Sequence, residues 1–169
     1  LVEEFQNWVW SDEKRAQRLQ NAYCIKFGNI KKRVFKGEFL KFPNMSKDIS
    51  LYDYQKDAVA RILFTPNTLL SHDVGAGKTF VMIAAGMELR RLHKSKKNLY
   101  VVPNNILGQW KNAFLKMYPD AKLLVVNEKN FKPSKRAATI EQIKTEDFDA
   151  IIMAYSSFDM LSLSKNYYK

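Results

Sequence analysis

The eight residues His72-Asp73-Val74-Gly75-Ala76-Gly77-Lys78-Thr79 constrain this chain more than any other stretch. A short apolar run, Thr68 to Ser71, comes before them, and a long apolar-periodic segment, Phe80 to Leu92, comes after. Those flanks predict a strand passing through a loop into a helix. Gly75 and Gly77 let the backbone turn tightly, so that successive N–H groups of Val74, Gly75, Ala76 and Gly77 point at one anion. The helix starting at Lys78 adds its positive N-terminal end. In such a loop the Lys78 ammonium reaches the outer phosphates of a nucleotide, and the Thr79 hydroxyl ligates magnesium. The strict form of the pattern opens with glycine, and His72 stands there instead.

The rest of the chain supplies the layers such a unit needs. From Leu51 onward helices alternate with short apolar strands. Tyr54, Ala58, Val59 and Ile62 lie on one helical stripe, ended by Pro66-Asn67. Asn98 to Val102 reads as a strand stopped by Pro103, and Ile106, Leu107, Trp110, Ala113, Phe114 and Met117 mark the helix after it. Lys122 to Val126 is a strand, Ser134 to Lys144 a helix, and Ala150 to Ala154 the last strand. This alternation predicts an α/β fold with a mostly parallel sheet flanked by helices. Residues 1–46 differ. Val2, Phe5 and Val9 recur at helical spacing, Ser11 is a candidate cap, and Ala16, Leu19, Tyr23 and Phe27 form a second stripe ending at Gly28. Val34-Phe35 and Phe39-Leu40 flank Lys36-Gly37 as a candidate hairpin. We therefore expect a small helical extension over 1–46 and the α/β domain over 47–169.

Composition narrows the partners. The 169 residues are 46% apolar and 27% charged, the balance of a globular chain, and no apolar run approaches the roughly 20 residues a membrane helix requires. The single cysteine, Cys24, leaves neither an internal disulfide nor a cysteine-based zinc site, which suits a reducing, cytoplasmic setting. Leu1 opens no signal-peptide pattern, and the sequence reads as an excerpt from a longer chain. Lys and Arg number 28 against 17 Asp and Glu, a net charge of +11 spread along the chain without a basic tail. A fold this evenly basic suits nucleic acid or nucleotide phosphate.

Four segments in order resemble the motifs of superfamily 2 helicases, and of the Swi/Snf-type DNA translocases among them, which often carry a non-glycine where His72 stands. Leu51-Tyr52-Asp53-Tyr54-Gln55 is similar to the adenine-reading Q motif that precedes the phosphate loop. Asn98-Leu99-Tyr100-Val101-Val102-Pro103, with Gln109-Trp110-Lys111, is similar to motif Ia. Asp149-Ala150-Ile151-Ile152-Met153-Ala154-Tyr155-Ser156 is similar to the Ib/Ic strand, whose tip touches nucleic acid. The lead-in, with Trp8, Arg15, Tyr23 and Phe42-Pro43, resembles that of large helicase-like proteins of bacterial, phage or mobile-element origin, some with an adenine-methylase part.

The resemblance implies the first RecA-like lobe of an ATP-dependent motor, with ATP and magnesium (Mg2+) as its ligands and double-stranded DNA as its track. It implies Gln55 on the adenine edge, Lys78 and Thr79 as catalytic residues, and Asn104, Asn105, Ser156 and Ser157 on the nucleic-acid backbone. It also implies that the acidic Walker B motif and a second RecA-like lobe follow in the same protein, so that this chain alone is inactive.

Several residues invite a second reading. Leu123-Leu124-Val125-Val126-Asn127-Glu128 imitates an acidic metal-binding motif but lacks the first carboxylate, and reads as a strand end. Trp110 lies on an apolar stripe and belongs to the core. Arg90, Arg91, Lys94, Lys96 and Lys97 complement a helix C-terminus, whereas Lys132, Lys135 and Arg136 divide evenly between solvated surface and phosphate contact. Two further functions stay open on residues alone, another phosphate-loop enzyme and a non-catalytic basic DNA-binding module.

Overall fold

A computed structural model describes residues 2–28, 33–65 and 67–161, and the chain divides into two compact units, 1–34 and 35–169. The first holds two helices, α1 (Val2–Trp10) and α2 (Glu13–Phe27). Asp12, rather than Ser11, caps α2: its carboxylate accepts the Arg15 N–H at 2.9 Å. The Ser11 hydroxyl instead donates back to the Trp8 carbonyl, because the helix starts one residue later than expected. The Arg15 guanidinium lies 3.9 Å from the centre of the Trp8 ring, a cation–π contact joining the two helices. Neither helix buries a residue.

The second unit carries the sheet. Its elements are α3 (Asp53–Phe64), α4 (Lys78–Arg91), β1 (Asn98–Val102), α5 (Leu107–Met117), β2 (Leu123–Val126), α6 (Pro133–Thr145), β3 (Ala150–Ala154) and the short α7 (Tyr155–Phe158). The strands are parallel in the order β1-β3-β2, with Tyr100 and Val125 both opposite Ile152. Every residue of the central β3 is buried, and its alternation divides two cores. Ala150, Ile152 and Ala154 join a main cluster with Val59, Val81, Ile83, Phe114 and Met117 from α3, α4 and α5. Ile151 and Met153 face a smaller cluster with Phe131, Phe148 and, from α6, Ile140 and Ile143. Helices thus cover both faces of a parallel sheet, as the alternation predicts.

Three expectations change. The expected boundary near residue 47 moves to between Val34 and Phe35, because Phe35, Leu40, Phe42, Met45 and Ile49 pack on the main core. The Gly37 N–H donates to Asp57 at 2.7 Å, and the Ser46 N–H to the Met117 carbonyl at 2.7 Å. The hairpin around Lys36-Gly37 does not form. These residues follow an irregular path with a turn at Glu38-Phe39, their apolar side chains finding burial against helices instead of each other. Thr68 to Ser71, expected as a strand, joins no ladder among the described residues. A strand needs a hydrogen-bonded neighbour, and these residues pair with none of β1, β2 and β3, although β1 keeps a free edge.

Candidate functional site

The direction of α4 decides what the site can contain. Asn98 donates through Nδ2 to the Gly86 carbonyl at 2.8 Å, and the Tyr100 hydroxyl lies 3.3 Å from the Met82 carbonyl. Successive residues of β1 therefore meet successively earlier turns of α4, so the helix runs antiparallel to the strand. Its N-terminus, and the loop before it, lie toward the C-terminal ends of the strands. That end is where open parallel sheets bind ligands.

Gly75 and Gly77 hold φ values of 87° and 71°, the left-handed region that side chains rarely enter. Gly77 is the N-cap of α4, and a Cβ there would also collide with Gln55 Nε2. The Phe80 N–H donates to the Gly77 carbonyl at 2.9 Å, so the N–H groups of Lys78 and Thr79, ahead of it in the first turn, are the donors left at the positive helix end beside the loop. Lys78 Nζ is held across its own loop by the carbonyls of His72 at 2.7 Å and Asp73 at 2.9 Å. The ammonium is thereby fixed over the helix start without a carboxylate partner among the described residues. Val74 is fully exposed at the loop tip, and Thr79 follows Lys78 into the first turn. This donor set fits an oligophosphate, with Thr79 the residue placed to offer a hydroxyl to an accompanying cation.

Gln55 sits beneath the loop, 4% exposed. Its Oε1 accepts the Tyr52 N–H at 2.9 Å, and its Nε2 donates to the Ala76 carbonyl at 3.2 Å. Both ends of the amide are thus engaged, one capping α3 and one carrying the loop. Contact with a base edge would exchange these bonds. Two tyrosines of the segment similar to the Q motif, neither given a role at the base by the sequence, stand closer to solvent: the Tyr54 hydroxyl donates to the same Ala76 carbonyl at 3.2 Å, and the Tyr52 and Tyr54 rings stack with centres 5.7 Å apart. Both rings are exposed beside the loop. His72 meets the Tyr54 ring edge-on at 5.8 Å, a packing role.

The strand ends gather a second group. Asn104 follows β1, Glu128 follows β2 and Ser156 follows β3. Asn104 Nδ2 donates to Glu128 Oε1 at 2.6 Å, and the Ser156 hydroxyl donates to the same oxygen at 3.0 Å. Asn104 and Ser156 are also within hydrogen-bond distance of each other. Asn105 is exposed in the single 3₁₀ turn that follows β1. Ser157, expected alongside Ser156 on the backbone track, is buried to 1% exposure, because α7 turns it into the protein. It is removed from the set of phosphate contacts. Trp110 is buried against Tyr100, at 5.5 Å between ring centres, as its stripe predicts.

The cations at the opposite end of α4 are spent internally. Arg90 makes a two-pronged bond to Asp147 at 2.9 and 3.0 Å and an ion pair with Asp149 at 2.9 Å. The Arg90 hydrogen bond holds the Asp147 carboxyl below its ordinary range, and Asp147 in turn raises the guanidinium. Arg91 binds the buried carboxylate of Glu88 at 2.7 Å. Lys122 reaches Glu146 at 3.0 Å and lowers that carboxyl in the same way. Among the described residues no group of His, Cys, Asp and Glu is arranged to hold a metal without a ligand's help, and no helix is long and apolar enough to cross a membrane.

A family model described as "Probable helicase domain" matches residues 63–169, well over half the chain. The chain belongs to this helicase-domain family. One relative of this helicase domain is a Caenorhabditis elegans homologue of the SWI/SNF-related, matrix-associated, actin-dependent regulator of chromatin containing DEAD/H box 1. It is 25% identical over 134 residues, which is 77% of this chain but 13% of that protein. Another is the ATP-dependent helicase FUN30 of Saccharomyces cerevisiae, 31% identical over 83 residues, 47% of this chain and 7% of the relative. The chain thus spans a small part of the relatives it matches. Among solved structures, the Sulfolobus solfataricus SWI2/SNF2 ATPase core aligns with a TM-score of 0.60 at 23% identity, over 79% of this chain and 26% of that one. The same core in complex with double-stranded DNA aligns with a TM-score of 0.53, at 23% identity, over 70% and 24%. The likeness to these solved structures shows the fold, a RecA-like lobe for the helicase domain.

Proposed function

We propose that this helicase domain is the first ATP-binding lobe of a DNA translocase, holding a nucleotide at residues 74–79 and a DNA backbone at the neighbouring strand ends. The observation that carries the reading is that the C-terminal end of the sheet gathers both groups. The N-terminus of α4 and the residues after β1 and β3 share it, so a phosphate-dependent shift in the loop has a short path to the track. The backbone N–H groups of Val74, Gly75, Ala76 and Gly77 would surround the nucleotide's phosphates, with Lys78 exchanging two carbonyls for phosphate oxygens. Thr79 would offer its hydroxyl to magnesium, which when bound offsets phosphate charge. The stacked Tyr52–Tyr54 pair offers a face for the base, while Gln55 supports the loop from beneath and meets the base edge only by exchanging its present bonds.

On the track, Asn104, Asn105 and Ser156 would donate to backbone phosphates. Such contacts position a duplex without reading its sequence. Turnover would further require an acidic motif and a second lobe, since placed charges around the terminal phosphate supply most of the rate.

Fluorescence anisotropy with a labelled duplex tests the track. Asn104→Asp with Ser156→Asp should weaken binding more than the equally large change of Lys96→Glu, which lies at the other end of α4. Equal or reversed effects would show only diffuse electrostatic attraction.

A further inference from the structure

We propose that Glu128 is a built-in stand-in for a DNA phosphate, occupying the donors of the backbone track until a duplex displaces it. The inference rests on reading the strand ends as that track. One oxygen of Glu128 receives both Asn104 Nδ2, at 2.6 Å, and the Ser156 hydroxyl, at 3.0 Å. Carboxylate and phosphate present the same chemistry to such donors, an anionic oxygen that shortens and strengthens the hydrogen bond. Glu128 has no lysine or arginine in ion-pair contact among the described residues, although the chain carries a net +11. Its side-chain hydrogen bonds to protein among the described residues therefore come from the proposed phosphate donors.

The turn that carries Glu128 is built to place it. Asn127 Oδ1 accepts the N–H groups of Lys129 and Asn130, at 2.9 and 3.1 Å. Asn130 Oδ1 accepts the Asn127 N–H at 2.7 Å, and Asn130 Nδ2 donates to the Val125 carbonyl at 2.8 Å. The carboxylate starts from a fixed backbone, so little entropy is lost in holding it on Asn104 and Ser156. Glu128 is also exposed, so its side chain can turn to solvent without disturbing the core. A grip that must be released repeatedly gains from such a competitor. When phosphate departs, the donors pass to Glu128 rather than standing unpaired.

The test is a mutant cycle read by anisotropy with a labelled duplex. Glu128→Ala should tighten binding about tenfold, the scale of one or two charge-assisted hydrogen bonds regained. Glu128→Gln, which keeps the shape, should tighten it less. Glu141→Gln, at the far end of α6, removes the same charge and should change affinity by less than about twofold. Adding Asn104→Ala to Glu128→Ala should abolish most of the gain, since contacting residues are coupled. The proposal is overturned if Glu128→Ala binds no tighter than Glu141→Gln, or if the gain survives Asn104→Ala. The track reading fails separately, if Asn104→Asp with Ser156→Asp leaves affinity unchanged. A loss in that pair with no gain in Glu128→Ala would sink the stand-in and leave the track.

Discussion

The two ends of the parallel sheet use polar side chains in opposite ways. At the N-terminal ends of the strands, cations and carboxylates consume each other: Arg90 takes Asp147 and Asp149, Lys122 takes Glu146, and Arg91 takes Glu88. At the C-terminal ends, Lys78 rests on two backbone carbonyls, and Asn104 and Ser156 share one carboxylate oxygen. The first arrangement closes the fold and the second leaves donors that a ligand can claim by exchange. Net charge does not distinguish them. What does is whether the chain supplies its own acceptors.

Substitutions at the two ends should therefore separate stability from binding. The largest effect on stability is expected at Gly77→Ala, where a positive φ and a collision with Gln55 combine to cost about 2 kcal/mol. A urea melt measures it, and a loss of nucleotide binding should accompany it. Arg90→Ala should lower the unfolding free energy by about 1 kcal/mol by releasing two carboxylates, with nucleotide affinity unchanged. Affinity falling with stability there would erase the contrast between the ends.

Acid should act on the same end. Asp147 and Glu146 are held below the ordinary carboxyl range by Arg90 and Lys122 respectively. A carboxyl with a lowered folded pKa contributes stability that is complete above its unfolded value and is lost as pH falls through the folded one. The thermal midpoint should thus be flat near neutrality and fall below about pH 4. Asp147→Asn should narrow its gap to wild type across that fall, and a constant gap would assign the aspartate no linkage. The smallest effect is expected at Asn104→Ala, within about 0.5 kcal/mol of wild-type stability by urea melt, because the residue is exposed and closes no core contact.

Much of this division was legible in the sequence, for physical reasons that differ between residues. The loop at 72–79 announced itself because left-handed backbone needs glycine and an anion site needs a helix start, both local properties. Strands β1, β2 and β3 followed from short apolar runs between helical stripes. Thr68 to Ser71 misled because an apolar run specifies burial and not a hydrogen-bonded neighbour. The path of residues 35–49 was hidden because its apolar side chains are spaced for contact with distant helices, with no period of their own. Ser156 and Ser157 are adjacent and chemically identical, and only the turn of α7 separates an accessible hydroxyl from a buried one. The segment Leu123 to Glu128 reads as a strand end, and Glu128 lies in the turn just past β2. Its bonds to residues 24 and 28 positions away in sequence lie beyond any local pattern.

The central claim is that the loop before α4 is a phosphate site organised around Lys78. Isothermal calorimetry with a magnesium complex of a non-hydrolysable ATP analogue tests it directly, comparing wild type with Lys78→Ala. The account predicts saturable, weak binding by the wild-type chain and its loss in Lys78→Ala, with circular dichroism and thermal midpoint preserved because Lys78 bonds within its own loop. The same affinity in both proteins would contradict it.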